Sequence, residues 1–262
     1  LSLDGKAFFY ENPLEITLAD HFSNCFGTKR YPITQRVECF ACSCCPPNLN
    51  RLLPKLSEYV YGLDGDTLYI HQFAASSLQA DGVTCEMKTA YPNDGKVHIA
   101  ASGVKKLAVR FPSWCKSVKT DKPYREVKDG YMLFDNTDVT VEFDMTPFAV
   151  RSSVKVWRDA GSLCVQAGPV VYCAESVDNG ENLHKYLLSP DLCAKAHFEK
   201  AFGLKVLDVE AYELCDTAHD ELYARADTDA PVLTKTTLRM IPYSAFANRG
   251  ESDMLVWFGR KL

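Results

Sequence analysis

Helical periodicity appears once with force. In "PPNLNRLLPKLSEYVYGL", Leu49, Leu52, Leu53, Leu56, Val60 and Leu63 recur at three- and four-residue spacing, which predicts an amphipathic helix. Pro46 and Pro47 suit its first turn, where a missing N–H does no harm. Pro54 falls inside the pattern and is expected to kink the helix or divide its first turn from the rest. Gly62 and the turn "GLDGD" stop it. After Gly65 the period becomes two. "DTLYIHQFAASSLQ", "VTCEMKTAY", "KVHIAA", "KKLAVRFPSW", "DGYMLFD", "DVTVEFDM", "SVKVWRD", "SLCVQAGPVVYCAE", "TTLRMIPYSAFAN" and "DMLVWFG" alternate and are rich in Val, Tyr and Phe, as strands are. Asn-Asp-Gly, Asp-Gly and Asp-Ala-Gly turns punctuate them. Many short strands about 8–12 residues apart predict antiparallel β-sandwiches. From about Asp178 to Thr234 the pattern is more polar and less regular. It predicts long loops and a short helix around "LCAKAHFEKAF". No internal repeat or low-complexity tract appears. Residues 1–63 are too few to enclose a core of their own and read as the tail of something larger.

Composition changes this picture little. The chain has 262 residues, 47% hydrophobic and 24% charged, with a net charge of -5. That is long enough for one large domain or two smaller ones. The mild acidity points to neither nucleic acid nor an anionic membrane surface. No apolar run reaches the ~18 residues that a bilayer span needs. The opening "LSLDGKAFFYENPLE" has no signal-peptide pattern and no initiator Met, so residues upstream of it are expected.

The eleven cysteines change more. Seven of them (Cys25, Cys85, Cys115, Cys164, Cys173, Cys193 and Cys215) are scattered singly, several inside apolar runs where a buried thiol behaves as a small hydrophobe. A disulfide framework suits short secreted chains, so a reducing compartment, the cytoplasm, is the expected location; a secreted protein with a few bridges stays open. The other four, Cys39, Cys42, Cys44 and Cys45, crowd into "ECFACSCCPPN". There the helix start, with its dipole and free N–H groups, favours a negative sulfur. Neighbouring thiolates also suit zinc, which deprotonates a thiol outright. The vicinal second pair departs from finger, ribbon and iron–sulfur spacings. A zinc knuckle, a reactive centre and buried inert thiols all remain as readings. Tyr10, Glu11, Glu15 and Glu38 are acid–base candidates, though lone acidic residues in polar stretches are usually solvated. His71, alternating with apolar neighbours, reads as a satisfied strand histidine. Trp114, Trp157 and Trp257 could form a sugar platform, but tryptophan in strands is usually core. No dinucleotide, P-loop, zincin or nucleophile-elbow motif is present.

Four stretches, "LDGKAFFYENPLE", "CSCCPPNLNRLL", "DMTPFAVRSSVKVWRDAGSLCVQAGPVVYCAESVDN" and "TTLRMIPYSAFANRGESDMLVW", together resemble the bacterial β-L-arabinofuranosidases of glycoside hydrolase family 127. They stand in the order of that family's C-terminal part. The resemblance implies a mainly β chain. Two antiparallel β-sandwich domains, at 64–147 and 148–262, would follow residues 1–63. Those would form the C-terminal tail of an (α/α)6 barrel whose main part is absent, and the final strand of the chain is left free to return to the first sandwich. It implies a zinc-dependent retaining hydrolase releasing L-arabinofuranose. Cys44 would be the nucleophile, Cys44 and Cys45 would ligate Zn2+, and Tyr10 would touch substrate. The partners implied are an arabinofuranoside oligosaccharide and the missing barrel segment, with no nucleic acid and no membrane; an oligomer is left open. No Glu-x-Cys stands where the family's further zinc ligands would match, so these ligands and the acid/base group are expected upstream of residue 1. The alternative is a non-catalytic β-sandwich module, carbohydrate-binding or structural, with a thiol or zinc knuckle.

Overall fold

The computed structural model describes residues 1–18, 34–39, 43–215, 222, 223, 225 and 231–261. The chain forms two compact units, one of Ser43–Thr146 and one of Leu1–Cys42 with Pro147–Leu262. The expected 1–63 segment is thus divided. Strand β1 (Glu15–Ile16) pairs with a strand near the C-terminal end, whereas the helical stretch opens the other unit.

In the 43–146 unit, helix α1 (Cys45–Leu52) gives way to a 3-10 stretch, Leu53–Tyr59. The change falls at Pro54, which cannot donate the next helical hydrogen bond. Strand structure begins earlier than Gly65. β2 (Tyr61–Asp64) and β3 (Thr67–Ile70) form a hairpin around Gly65, whose φ is 57°. β4 (Ser76–Ala80), β5 (Val83–Thr89), β6 (Lys96–Ser102), β7 (Lys106–Arg110), β8 (Val118–Thr120), β9 (Val127–Lys128), β10 (Tyr131–Phe134) and β11 (Asp138–Phe143) follow. They make two five-stranded sheets, β2-β3-β7-β10-β9 and β4-β5-β6-β11-β8. Alternation does the sorting. β5 buries Val83, Cys85 and Met87 and turns Thr84, Glu86 and Lys88 outward. Leu68, Ile70, Leu107, Val109, Met132 and Phe134 of one sheet share a core with Val97, Ile99, Val139, Val141 and Phe143 of the other. Each such side chain is worth about 1.5–3 kcal/mol on burial. All pairings are antiparallel except β3 with β7. Gly103, at φ 81°, turns the chain after β6; a Cβ there would lie 2.2 Å from the Gly82 carbonyl oxygen.

The second unit holds β12 (Phe148–Arg151), β13 (Ser162–Ala167), β14 (Val170–Glu175), the single turn α2 (Ser176–Asn179), β15 (Tyr186–Leu188), β16 (Ala194–Glu199), β17 (Leu204–Cys215), β18 (Val232–Pro242), β19 (Met254–Leu255) and β20 (Phe258–Arg260). The two layers expected here are joined. Strands β14-β18-β17-β15-β20-β13 run side by side, and β13 pairs back onto β14, closing a ring. Inside it lie Val165, Tyr172, Leu188, Val209, Leu238, Met240 and Phe258. The ring's outer side is buried in part as well. Cys164, Cys173 and Ile241 pack there with Ile16, Phe246 and Val256, and Phe9 packs against them. The N-terminal segment is tied down over this face. Tyr243 donates its hydroxyl to the Pro13 carbonyl at 2.8 Å, and the Leu18 N–H donates to Asp253 Oδ1 at 2.7 Å. β20 lies between β13 and β15, so the final strand stays in this unit.

Two expectations give way. "LCAKAHFEKAF" is not helical; it holds β16, an edge strand laddered along β17 over six residues. "SVKVWRD" is not a strand. Its backbone bonds are local, Val156 N–H to Ser153 and Asp159 N–H to Val156, which make turns.

A buried ion cluster fixes the ring to the loop that follows it. Glu175, 2% exposed, accepts the Ala247 N–H at 2.7 Å and Arg249 Nη2 at 2.6 Å. Arg249 also forks onto Asp178, and Arg239 reaches both Asp178 and Glu199. Burial opposes the Arg249 charge, but the bonds to Asp178 and Glu175 outweigh it and hold the guanidinium firmly protonated. Arg249→Ala takes from Glu175 its directly bonded cation, leaving only the electrostatic help of Arg36, and is expected to cost about 3–5 kcal/mol, read as a lowered urea midpoint. Adding Glu175→Gln to that variant should return part of the loss.

Candidate functional site

Cys44 caps α1 with helical backbone angles (φ −78°, ψ −37°), and Cys45 is the first helical residue. No side chain caps this end, and no acidic residue sits in its first turn. Pro46 and Pro47 fix φ for the helix, but they also remove two N–H groups. This first turn therefore offers a negative sulfur fewer backbone donors than an ordinary helix start, leaving mainly the dipole. Cys44 is exposed and Cys45 half-buried, with their sulfurs 3.6 Å apart. That is far beyond an S–S bond of about 2.05 Å. Adjacent α-carbons, about 3.8 Å apart across a trans peptide, also sit below the span a disulfide prefers.

The distance suits a metal better. Two sulfurs each about 2.3 Å from a tetrahedral zinc lie about 3.8 Å apart. Among the described residues, no group of three or more His, Cys, Asp or Glu side chains is placed to hold a metal ion. The pair can thus fill two corners of such a site, with the others supplied from elsewhere. Cys42 and Cys25 lie outside the described residues. The chain does carry one Glu-x-Cys, Glu213-Leu214-Cys215, but in β17; there Lys185 binds Glu213 at 2.8 Å.

Tyr10 stands in the other unit. The antiparallel bridge between Phe8 and Val37 brings its segment beside Cys39, and its hydroxyl donates to Cys39 Sγ at 3.4 Å. Glu11 follows it, and burial pushes that carboxyl up. Glu15 is engaged by His184 at 2.7 Å, and Glu38 is exposed. His71 is satisfied as expected, its Nδ1 2.7 Å from the Tyr131 hydroxyl.

The scattered thiols divide. Cys85, Cys115, Cys164 and Cys173 are buried, but Cys193 is exposed and Cys215 half-buried. Burial pushes Cys85 and Cys164 up to about 11, and Cys173 well above its ordinary range.

Family models match nearly the whole length from β3 onward. Residues 67–145 match the "Beta-L-arabinofuranosidase, GH127 middle domain", and residues 147–259 match the "Glycoside hydrolase family 127 C-terminal domain". The chain belongs to glycoside hydrolase family 127. The non-reducing end β-L-arabinofuranosidase of Bifidobacterium longum subsp. longum is 32% identical over 283 aligned residues, covering 98% of this chain and 42% of that protein. The solved GH127 β-L-arabinofuranosidase of Geobacillus stearothermophilus T6 superposes with a TM-score of 0.86 at 34% identity, covering all of this chain and 44% of that one. A second solved GH127 β-arabinofuranosidase gives 0.79 at 29% identity, with 43% of its chain covered. The chain thus spans less than half the length of these relatives. No described helix is long and apolar enough to cross a membrane.

Alkylation should follow this division of the thiols. With iodoacetamide near neutral pH, Cys44 and Cys193 are expected to label in the folded chain. Cys85, Cys164 and Cys173 should label only after denaturation, as peptide mass mapping would report.

Proposed function

We propose that the parent polypeptide of this chain is a retaining β-L-arabinofuranosidase, with Cys44 as nucleophile and with Zn2+ held by Cys44, Cys45 and donors outside the described residues. One observation carries the reading: two thiols 3.6 Å apart, one of them exposed, at the head of a helix in a chain of this family. Zinc, when bound, supplies positive charge that keeps sulfur anionic.

This chain's residues would act as follows. The Cys44 thiolate attacks the anomeric carbon; the C–S bond forms as the C–O bond to the aglycone breaks. A general acid from outside the described residues protonates the departing oxygen. Water, deprotonated by the same group, then attacks that carbon, and the sulfur leaves as thiolate. Two inversions give retention, with sulfur taking the place of the usual carboxylate. Tyr10, whose hydroxyl donates to Cys39 Sγ in this chain, would turn that proton to a sugar oxygen when substrate is bound. Reduced thiols at the described cysteines fit work in the cytoplasm.

Cys44→Ser in the full-length parent is expected to lower kcat by about four orders of magnitude or more, the scale of losing a nucleophile. Tyr10→Phe should cost about tenfold to a hundredfold, the value of one hydrogen bond to a charged or reacting group. Full hydrolysis of a β-L-arabinofuranoside by the Cys44→Ser protein would remove Cys44 from the chemistry, whereas no hydrolysis by the unsubstituted parent would favour a non-catalytic sandwich module. Residues 1–262 alone are expected to release no arabinose.

Metal analysis gives an independent check. The parent should carry one zinc with two or more sulfur ligands at about 2.3 Å by X-ray absorption. Cys45→Ser should lose stoichiometric zinc. Unchanged sulfur coordination in that variant would exclude Cys45 as a ligand.

A further inference from the structure

Tyr10 and Cys39 meet because a loop far along the sequence holds both of their segments. That loop follows β18 and is pinned at Ala247, whose N–H donates to the buried Glu175 at 2.7 Å. Beside the pin stands Phe246. The Arg36 guanidinium donates Nε and Nη2 to the Phe246 carbonyl at 3.0 and 2.8 Å, and Nη2 also to the Ser244 carbonyl at 3.1 Å. It lies 5.3 Å from the Phe246 ring centroid as well, a cation–π contact. Phe9 meets the same ring edge-on, with centroids 4.7 Å apart. Burial opposes the Arg36 charge, and Glu175 supports it from nearby.

The two segments run antiparallel. Phe8 and Val37 close the bridge between them with N–H···O bonds of 2.7 and 3.0 Å. Phe9 follows one bridge residue and Arg36 precedes the other, and both go to Phe246. Successive side chains of an extended chain point to opposite sides. The contacts obey that rule. The Tyr10 ring lies edge-on to Phe8, with centroids 6.4 Å apart, and its hydroxyl reaches Cys39 Sγ at 3.4 Å. One phenylalanine therefore sets the roll of both segments, and with it the direction of Tyr10.

We propose that Arg36 is a positioning residue that, by clamping Phe246, sets where the Tyr10 side chain points. This deepens the reading of Tyr10 as a substrate contact and rests on it for any effect on turnover. The placement itself is tested without turnover.

The full-length parent, grown with fluorotyrosine, reports that placement by fluorine NMR. The line missing from Tyr10→Phe is that of Tyr10. Cys39→Ala should shift it, and Arg36→Ala should shift it too. Arg36→Lys, whose single amine cannot fork onto two carbonyls, should shift it less. An unchanged thermal midpoint is the folding control; where Arg36→Ala lowers it, Arg36→Lys carries the comparison. A Tyr10 line that stays in place in both Arg36 variants overturns the proposal.

Turnover of a β-L-arabinofuranoside then gives a double-mutant cycle. Arg36→Ala should lower kcat about fivefold or more in the unsubstituted parent, the scale of one hydrogen bond. With Tyr10→Phe already present it should lower kcat by less than about twofold, since the two act as one unit. Equal losses in both backgrounds, with Tyr10→Phe itself impaired, would make Arg36 a general support of the fold and overturn the proposal. If Tyr10→Phe keeps full kcat, the reading of Tyr10 as a substrate contact fails, and a Tyr10 line moved by Arg36→Ala still upholds the placement.

Discussion

A carboxylate shut away from water must be matched by a cation, and at Glu175 that requirement organises the whole C-terminal unit. Glu175 ends β14, and its two oxygens are taken by the Ala247 N–H and by Arg249. Arg249 also holds Asp178 on α2, and Arg239 of β18 connects Asp178 to Glu199 on β16. Four elements and one loop therefore meet in a single charge network. Removing Arg249 takes the bonded cation from the buried Glu175, the costliest single loss in the network, whereas the partly exposed Arg239 and Glu199 can turn to water. The same network unites "AGPVVYCAESVDN" with "TTLRMIPYSAFANRG", two stretches far apart in sequence that both carry the family likeness.

Much of the fold was legible because strand alternation is a local signal. Val83, Cys85 and Met87 on one side and Thr84, Glu86 and Lys88 on the other announce β5 without any knowledge of its partners. The helix was legible for the same reason, and Pro54 marked the point where it changes character. What escaped was decided by distant partners. The alternating "SVKVWRD" looks like a strand, yet no neighbour among the described residues pairs with it. Ala194–Glu199 has mostly exposed side chains, yet β17 supplies a ladder for it. Ring closure through β13 and β14 leaves no trace in local periodicity.

The candidate site could be pointed to in the sequence, but its geometry could not. Four cysteines before a proline-rich helix start marked the place on which the proposed chemistry rests. The spacing alone could not show that Cys44 and Cys45 lie 3.6 Å apart or that Cys39 meets the Tyr10 hydroxyl. The expectation of backbone N–H support at the helix start overlooked that Pro46 and Pro47 have none to give. The ionic cluster was missed because Glu175, Asp178, Arg239 and Arg249 look like ordinary charges until the fold encloses them.

Closure of the ring also sets an order of events in synthesis. β20, at Phe258–Arg260, fits between β13 and β15, nearly a hundred residues after β13 was made. β1, made well before β19, waits for that strand as its ladder partner. Until those late strands leave the ribosome, β13 and β15 present open edges, and the opening segment has nowhere to dock. Such long-range pairing is slow and leaves unpaired edges exposed in the meantime. The nascent C-terminal unit is therefore the part of this chain in greatest need of a chaperone's protection.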